Sequence, residues 1–244
     1  FALSVDSYRS FIPVYDLSSN QKNDQNIVSQ SSGIDYKLQW ENTANYVFSI
    51  RKSHHFDILV GQSIEADGLG DEMEGSNTNS IFNDFKHAYL KNTPIISSRT
   101  TLTGFPQGKT TLASFFGRIN YDYLNRYMAT VVLRADGSSK FAKGHQWGYF
   151  PSVSAGWAIT EEPFMAKVRQ WMDFFKIRAS WGQNGNQNIP GYQYLSTYAF
   201  NGSDYTFGPD KSVLSNGAYA DILANPDITW ETSEQTDIGF DSRF

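Results

Sequence analysis

The chain has 244 residues, enough for one or two domains with a full core. Charged residues make up 18% and aromatics 16%, at a mean hydropathy of -0.46, a pairing that is odd for a soluble enzyme. A net charge of -5 argues against a nucleic-acid partner, and zero cysteines exclude a disulfide framework and a thiolate metal site.

In chain order, Phe1, Leu3 and Val5 alternate with Ala2, Ser4 and Asp6, which predicts a strand within residues 1–17. Ser18 to Gly33 is rich in Ser, Asn, Gln and Asp and reads as a polar loop. From Tyr36 the alternation is clean. Tyr36, Leu38, Trp40, Ala44, Tyr46, Phe48 and Ile50 share a face opposite Lys37, Gln39, Glu41, Thr43, Asn45 and Ser49. A tight turn at Arg51 to His54 leads into a strand carrying Phe56, Ile58, Val60 and Ile64. Ala66 to Lys109 then reads as a long connection. Ile81, Phe85 and Tyr89 recur at helical spacing and predict a short helix within Ser80 to Leu90.

Thr111 to Gly182 carries the strongest pattern. Ala113, Phe115, Gly117, Ile119, Tyr121 and Tyr123 face one way; Ser114, Phe116, Arg118, Asn120 and Asp122 face the other. Beyond Leu124-Asn125-Arg126, the run of Tyr127, Ala129, Val131 and Leu133 opposes Thr130, Arg134 and Asp136. A third run sets Tyr149, Val153, Ala155, Trp157 and Ile159 against Ser152, Ser154, Gly156 and Thr160. A fourth sets Phe175, Ile177, Ala179 and Trp181 against Lys176, Arg178, Ser180 and Gly182. Gly137 to Trp147 reads as a polar loop, and Glu161 to Asp173 as one or two helical turns. After Gly182 an irregular region begins, with a small strand predicted around Tyr192, Tyr194 and Tyr198. Trp230 to Phe240 is the last strand, weakened by Glu234 and Thr236 on its apolar face.

These runs reach roughly ten residues or more, where soluble strands usually have about five or six. No apolar run approaches the roughly 20 residues of a membrane helix, so helical spanning is excluded. Long alternating strands, aromatics near their ends and short turns on one side predict an all-β fold. It is an antiparallel transmembrane β-barrel segment of about eight long strands, with long extracellular loops. Polar lumen and loops account for the low hydropathy. The sequence opens at Phe1 without a Met, a basic n-region or a signal core, so a mature product or a piece of something longer is expected.

Four stretches carry a resemblance. They are Leu133 to Phe141 (LRADGSSKF), Trp147 to Trp157 (WGYFPSVSAGW), Ile177 to Asn186 (IRASWGQNGN) and Asn225 to Thr232 (NPDITWET). In order, they resemble barrel motifs of the SusC-like TonB-dependent outer-membrane transporters of Bacteroidetes. The match covers Ser114 to Phe244 well and Tyr36 to Gln62 loosely. The resemblance implies a bacterial outer-membrane location and a barrel of about 22 strands. It also implies an N-terminal plug, a TonB-contacting segment, and a SusD-like surface lipoprotein as partner. The expected reading is residues 1–244 as part of that barrel, with the plug and the TonB-contacting segment elsewhere.

No nucleophile elbow, P-loop or His-Glu-x-x-His pattern is present, so no catalytic residue and no cofactor are assigned. His54, His55, His87 and His145 read as solvated surface histidines. Asp67, Asp71, Glu72 and Glu74 form an acidic, glycine-spaced stretch that could hold Ca²⁺. Their spacing fits no EF-hand, and a solvated acidic loop is the expectation. Tyr121, Tyr123 and Tyr127 flank one turn and suit an interfacial girdle. Arg118, Arg134, Lys176 and Arg178 fall on the polar face with Asp122 and Asp136, where they would line a lumen or form cross-strand charge pairs. Tyr192, Tyr194, Tyr198, Tyr205 and Phe207 give an aromatic outer region suited to stacking on sugars or anchoring a protein partner, and equally to self-packing.

The functional expectation is the barrel wall of a transporter importing oligosaccharides or peptides, driven by TonB, with no bond chemistry and lipid around it. The alternatives are a passive porin or adhesin barrel, and a soluble β-rich glycan-binding module.

Overall fold

A strand is defined by its backbone partners, and paired edges here lengthen several of the runs beyond what side-chain alternation marks. The computed structural model describes residues 1–18, 20–94, 99–199, 204–207 and 213–244, with the backbone alone at 204–207 and 213–216. Its strands, in chain order, are β1 (Ala2–Ile12), β2 (Tyr15–Ser18), β3 (Gln21–Asn23), β4 (Ile27–Ile50), β5 (His54–Asp67), β6 (Asp71–Thr78), β7 (Thr101–Pro106) and β8 (Thr110–Tyr123). They continue as β9 (Tyr127–Ser138), β10 (Trp147–Ala158), β11 (Phe174–Asn186), β12 (Thr197–Ala199), β13 (Asp204–Phe207), β14 (Val213–Asn216), β15 (Tyr219–Ile222) and β16 (Glu231–Arg243). Eight of the described strands have eleven residues or more, as the alternation predicts.

The chain divides into two units, one of residues 1–39 and 65–110 and the other of residues 40–64 and 111–244. In the first, β1 and β6 flank the start of β4, with Ile12 opposite Ile27 and Ile27 opposite Thr78, and β7 pairs with β6. The expected polar loop at Ser18 to Gly33 is therefore only partly a loop. It holds the second strand of the small β2–β3 hairpin and the beginning of β4. Ser29 to Ser32 lack an alternating pattern, yet hydrogen-bonded neighbours on both sides make them strand.

The expected connection at Ala66 to Lys109 is likewise corrected, because it contains β6 and β7. Only Gly68-Leu69-Gly70 separates β5 from β6. Gly68 sits at φ +69°, and a Cβ on Gly70 would lie 1.6 Å from the carbonyl oxygen of Ile34, so neither position accepts a side chain without movement. The predicted helix at Ser80 to Leu90 is replaced by two 3₁₀ turns, Phe85–His87 and Leu90–Asn92. Buried Asn26 explains this. Its amide accepts from the Ser80 N–H (2.6 Å) and donates to the carbonyls of Ser80 (3.0 Å) and Phe82 (3.1 Å), groups a helix would need for itself. Asp84 caps the first turn by accepting from the His87 N–H, and the bond to His87 holds its carboxyl below the usual range.

In the second unit the strand order is β4-β5-β8-β9-β10-β11-β16, with the pairs from β8 onward antiparallel. Two tight turns carry left-handed residues at both central positions: Arg51 (φ 52°) with Lys52 (φ 56°), and Leu124 (φ 53°) with Asn125 (φ 56°). That backbone matches the right-handed twist of the flanking strands, which justifies the strain in non-glycine residues. The two turns are joined by Leu124 N–H donating to the Ser53 carbonyl at 3.0 Å. Three 3₁₀ turns (Ile159–Glu161, Pro163–Met165, Val168–Gln170) fill the predicted helical stretch at Glu161 to Asp173.

Candidate functional site

Register decides which side chains share a face in the second unit. Phe115, Ile119, Val131, Leu133, Tyr149, Val153, Ala155, Ala179, Ile177, Ile238 and Phe240 fall on one face. That face is apolar and exposed: Val131 is 50% accessible and Ile238 is 81%. Soluble monomers rarely expose a contiguous surface of this chemistry, which marks contact with a membrane or a partner.

Near the tight turns the same face carries a belt of rings. Tyr46 meets Phe48 at 5.4 Å between centroids, Phe48 meets Phe56 at 5.0 Å, and Phe56 meets Tyr121 at 5.0 Å. His54 bridges Tyr121 and Tyr123, and Tyr123, Tyr127 and Trp157 continue the row. The predicted trio of Tyr121, Tyr123 and Tyr127 is thus its middle. Its lower edge is anchored by Glu162, a buried carboxylate that no sequence pattern marks. Glu162 Oε1 accepts from Tyr127 Oη (2.5 Å) and Trp157 Nε1 (3.1 Å), while Oε2 lies 3.6 Å from Arg126. These donors, Tyr127 first, hold the Glu162 carboxyl below its usual range.

The opposite face carries Arg118, Arg134, Lys176 and Arg178, and the three arginines lie beside carboxylates. Arg118 lies 3.9 Å from Asp57, Arg134 binds Asp136 at 2.7 Å, and Arg178 lies 3.5 Å from Asp241. Asn120 links Asp57 (3.3 Å) to the hydroxyl of Thr130 (2.9 Å), extending a polar network across three strands. Small residues leave room there. A cavity of about 390 Å³ lies between Thr130, Ser154, Gly156, Lys176, Arg178 and Asp237.

At the other end of these strands the four sequence motifs converge. Phe141 and Phe150, both buried, pack on Trp230 at 5.4 Å each. Trp230 Nε1 donates to the Gln146 carbonyl at 2.9 Å, tying the Gly137 to Trp147 loop to the last motif. Gly148 and Gly185 provide the space, since a Cβ on Gly185 would come within 2.0 Å of the Phe150 ring.

Comparison with known proteins identifies this arrangement. The family model described as TonB dependent receptor-like, beta-barrel matches residues 3–244. The chain belongs to the TonB-dependent receptor family. It is 33% identical over 212 residues to the TonB-dependent receptor SusC of Bacteroides thetaiotaomicron, covering 86% of this chain and 20% of that protein. It is 38% identical over 133 residues to TonB-dependent receptor P3 of Formosa agariphila, covering 54% of this chain and 13% of that one. Among solved structures, the RagAB peptide importer in its closed-closed state matches at a TM-score of 0.76 and 21% identity, over 98% of this chain and 25% of the other. The chain therefore spans about one fifth of the length of SusC. It is a segment of a SusC-like receptor barrel, and the soluble glycan-binding module is set aside.

Other expected sites of the receptor barrel are less coherent. Asp67, Asp71, Glu72 and Glu74 belong to strands rather than a loop, and β6 alternation sends Glu72 and Glu74 to the face opposite Asp71. Among the described residues no three Asp, Glu or His groups converge as a metal site. Tyr192 and Tyr194 contact each other at 6.3 Å, and exposed Tyr198 lies on β12, which pairs with β15. Tyr205 and Phe207 are on β13, and their side chains lie outside the described residues. The histidines all have partners: His54 with Tyr121, His55 with Ser49, His87 with Asp84, and His145 3.9 Å from Asp227.

Proposed function

We propose that this chain forms part of the outer-membrane wall of an importer that takes up oligosaccharides or peptides under TonB drive, together with a SusD-like surface lipoprotein. The carrying observation is the two-faced sheet of the second unit. Its exposed apolar face and ring belt suit lipid and the lipid–water interface, and its ion-paired face suits a polar lumen. Arg118, Arg134, Lys176 and Arg178 would then face the lumen. Kinship to a peptide importer supports peptide as one solute class, and kinship to SusC is equally compatible with glycan.

In this reading the segment performs no bond chemistry. It supplies a rigid wall, and the solute crosses when the remainder of the receptor opens a path. The passive-porin alternative differs in energy source, and family membership favours the TonB-driven reading. The test is uptake of a fluorescent tripeptide and a fluorescent trisaccharide by cells carrying the full-length receptor, with and without TonB. Uptake of either solute that disappears with TonB is expected; uptake that persists without TonB would reverse the proposal.

A further inference from the structure

The converging motifs do more than pack. Beside the Phe141–Phe150–Trp230 cluster lies a cavity of about 420 Å³, bounded by Arg134, Asp136, Lys140, Gln187, Asn188 and Trp230. That volume is within the usual span of small-molecule pockets, about 300–1,000 Å³.

Its charges do not cancel. Buried Asp136 is neutralised by Arg134, whose Nε reaches both carboxylate oxygens (2.9 and 2.7 Å) and whose Nη2 donates to Ser114 (3.1 Å). Lys140 has no such partner. Among the described residues no carboxylate lies within ion-pair distance of its ammonium, whose bond is a long one, 3.5 Å to the Gln187 carbonyl. The Lys140 backbone is held by its N–H donating to Ser138 Oγ at 3.2 Å, so the side chain springs from a fixed point of the loop.

The nearby acid, Glu231, is not among the residues that bound the pocket. Glu231 accepts from the Asn186 amide at 2.8 Å, and the Asn186 oxygen accepts from the Asn188 N–H at 2.9 Å, which fixes this corner. The pocket is left with one surplus positive charge, the side-chain amides of Gln187 and Asn188, and the carbon surface of Trp230. The indole N–H is already committed to Gln146, so Trp230 offers the ligand a face and not a donor.

We propose that this pocket is a solute subsite for a carboxylate-bearing end group, with the carboxylate on Lys140 and the adjoining carbon skeleton against Trp230. A single surplus charge matches one carboxylate, and the neutral amides match its flanking hydroxyl or peptide groups. A peptide C-terminus and a uronic acid sugar both supply that chemistry. The proposal rests on the importer reading and narrows its solutes to acids.

The test uses the full-length receptor purified in detergent and equilibrium binding of four probes: trialanine, trialanine amide, trigalacturonic acid and its methyl ester. At least one acid should bind about tenfold tighter than its neutral counterpart, and the pair that shows the preference identifies the source of the carboxylate. Lys140→Gln should erase the preference and Lys140→Arg should keep it. Binding of neither acid, equal binding within both pairs, or a preference that survives Lys140→Gln overturns the subsite. Uptake of the same probes in cells separates the two readings. TonB-dependent uptake untouched by Lys140→Gln defeats the subsite alone, whereas uptake independent of TonB defeats the importer reading and leaves the binding result standing.

Discussion

Tyr127 Oη donates a 2.5 Å hydrogen bond to Glu162 Oε1, joining the first residue of β9 to the turn that follows β10. The bond places a ring of the belt over a carboxylate that also holds Trp157 and Arg126. Two belt rings are thereby held by one acceptor. Tyr127→Phe removes one donor and leaves the acceptor two partners, whereas Glu162→Leu strands both a tyrosine hydroxyl and an indole N–H. In the full-length barrel, the temperature at which the compact form converts to the unfolded form on a gel should fall slightly for Tyr127→Phe and clearly for Glu162→Leu. An unchanged temperature in Glu162→Leu would show that the network does not secure the turn.

The same carboxylate fixes the direction of a pH effect. Its folded pKa lies below the ordinary value of 4.5, so its contribution is complete above that value and is lost as pH falls through the lower, folded pKa. Stability should therefore show a loss on acidification below about pH 4.5 that Glu162→Gln lacks. Identical acid profiles of the two proteins in thermal unfolding would refute it.

Much of this architecture is legible in the sequence because lipid imposes a strict rule on one face. Phe115, Ile119, Val131 and Val153 read as a face by period two alone, and register confirms them as neighbours. Where both faces are polar the rule gives no signal. β6 and β7 are Gly-, Thr- and Glu-rich, and only their partners make them strands. Ile81, Phe85 and Tyr89 mimic a helix face, but the Ser80 N–H and the carbonyls of Ser80 and Phe82 beside them are taken by Asn26, a residue more than fifty positions away. Glu234, which weakens the sequence pattern of β16, is placed by Trp181: the indole donates to it at 2.8 Å. The Lys140 pocket is not legible at all, since it needs the loop after β9, the end of β11 and the start of β16 in one place.

Face assignment makes a quantitative prediction. Val131 lies opposite Val153 and Ile119 on the apolar face, so Val131→Arg should cost about 2–4 kcal/mol in a folded full-length barrel. Thr130→Arg, on the polar face, loses the bond to Asn120 but keeps its charge off the apolar face, and should be milder. Equal losses in urea titrations of the two variants would contradict the lipid-facing assignment.

Sidedness is open to chemical labelling, because the chain has no native cysteine. Exposed Lys143 lies in the β9–β10 loop and exposed Gln170 in the turn before β11, at opposite ends of the strands. In intact cells Lys143→Cys should react with a membrane-impermeant maleimide, while Gln170→Cys should react only after the outer membrane is permeabilised. The reverse pattern would invert the topology.

A last consequence concerns the sheet edge. β16 pairs along its whole length with β11, from Asn186 opposite Glu231 to Phe174 opposite Arg243, and among the described residues no strand pairs with its other edge. In lipid each unpaired backbone group on such an edge costs several kcal/mol. Small barrels remove edges by closing around side chains that fill the interior. The polar face here carries Ser152, Ser154, Gly156, Ser180 and Gly182, which leave a cavity and cannot fill a narrow bore. Residues 1–244 expressed alone should therefore aggregate or remain unfolded in detergent, and should regain a compact form only with the strands that cover the edge. Gel migration before and after heating is the measurement. A heat-modifiable compact monomer from residues 1–244 alone would mean that the edge closes within this chain.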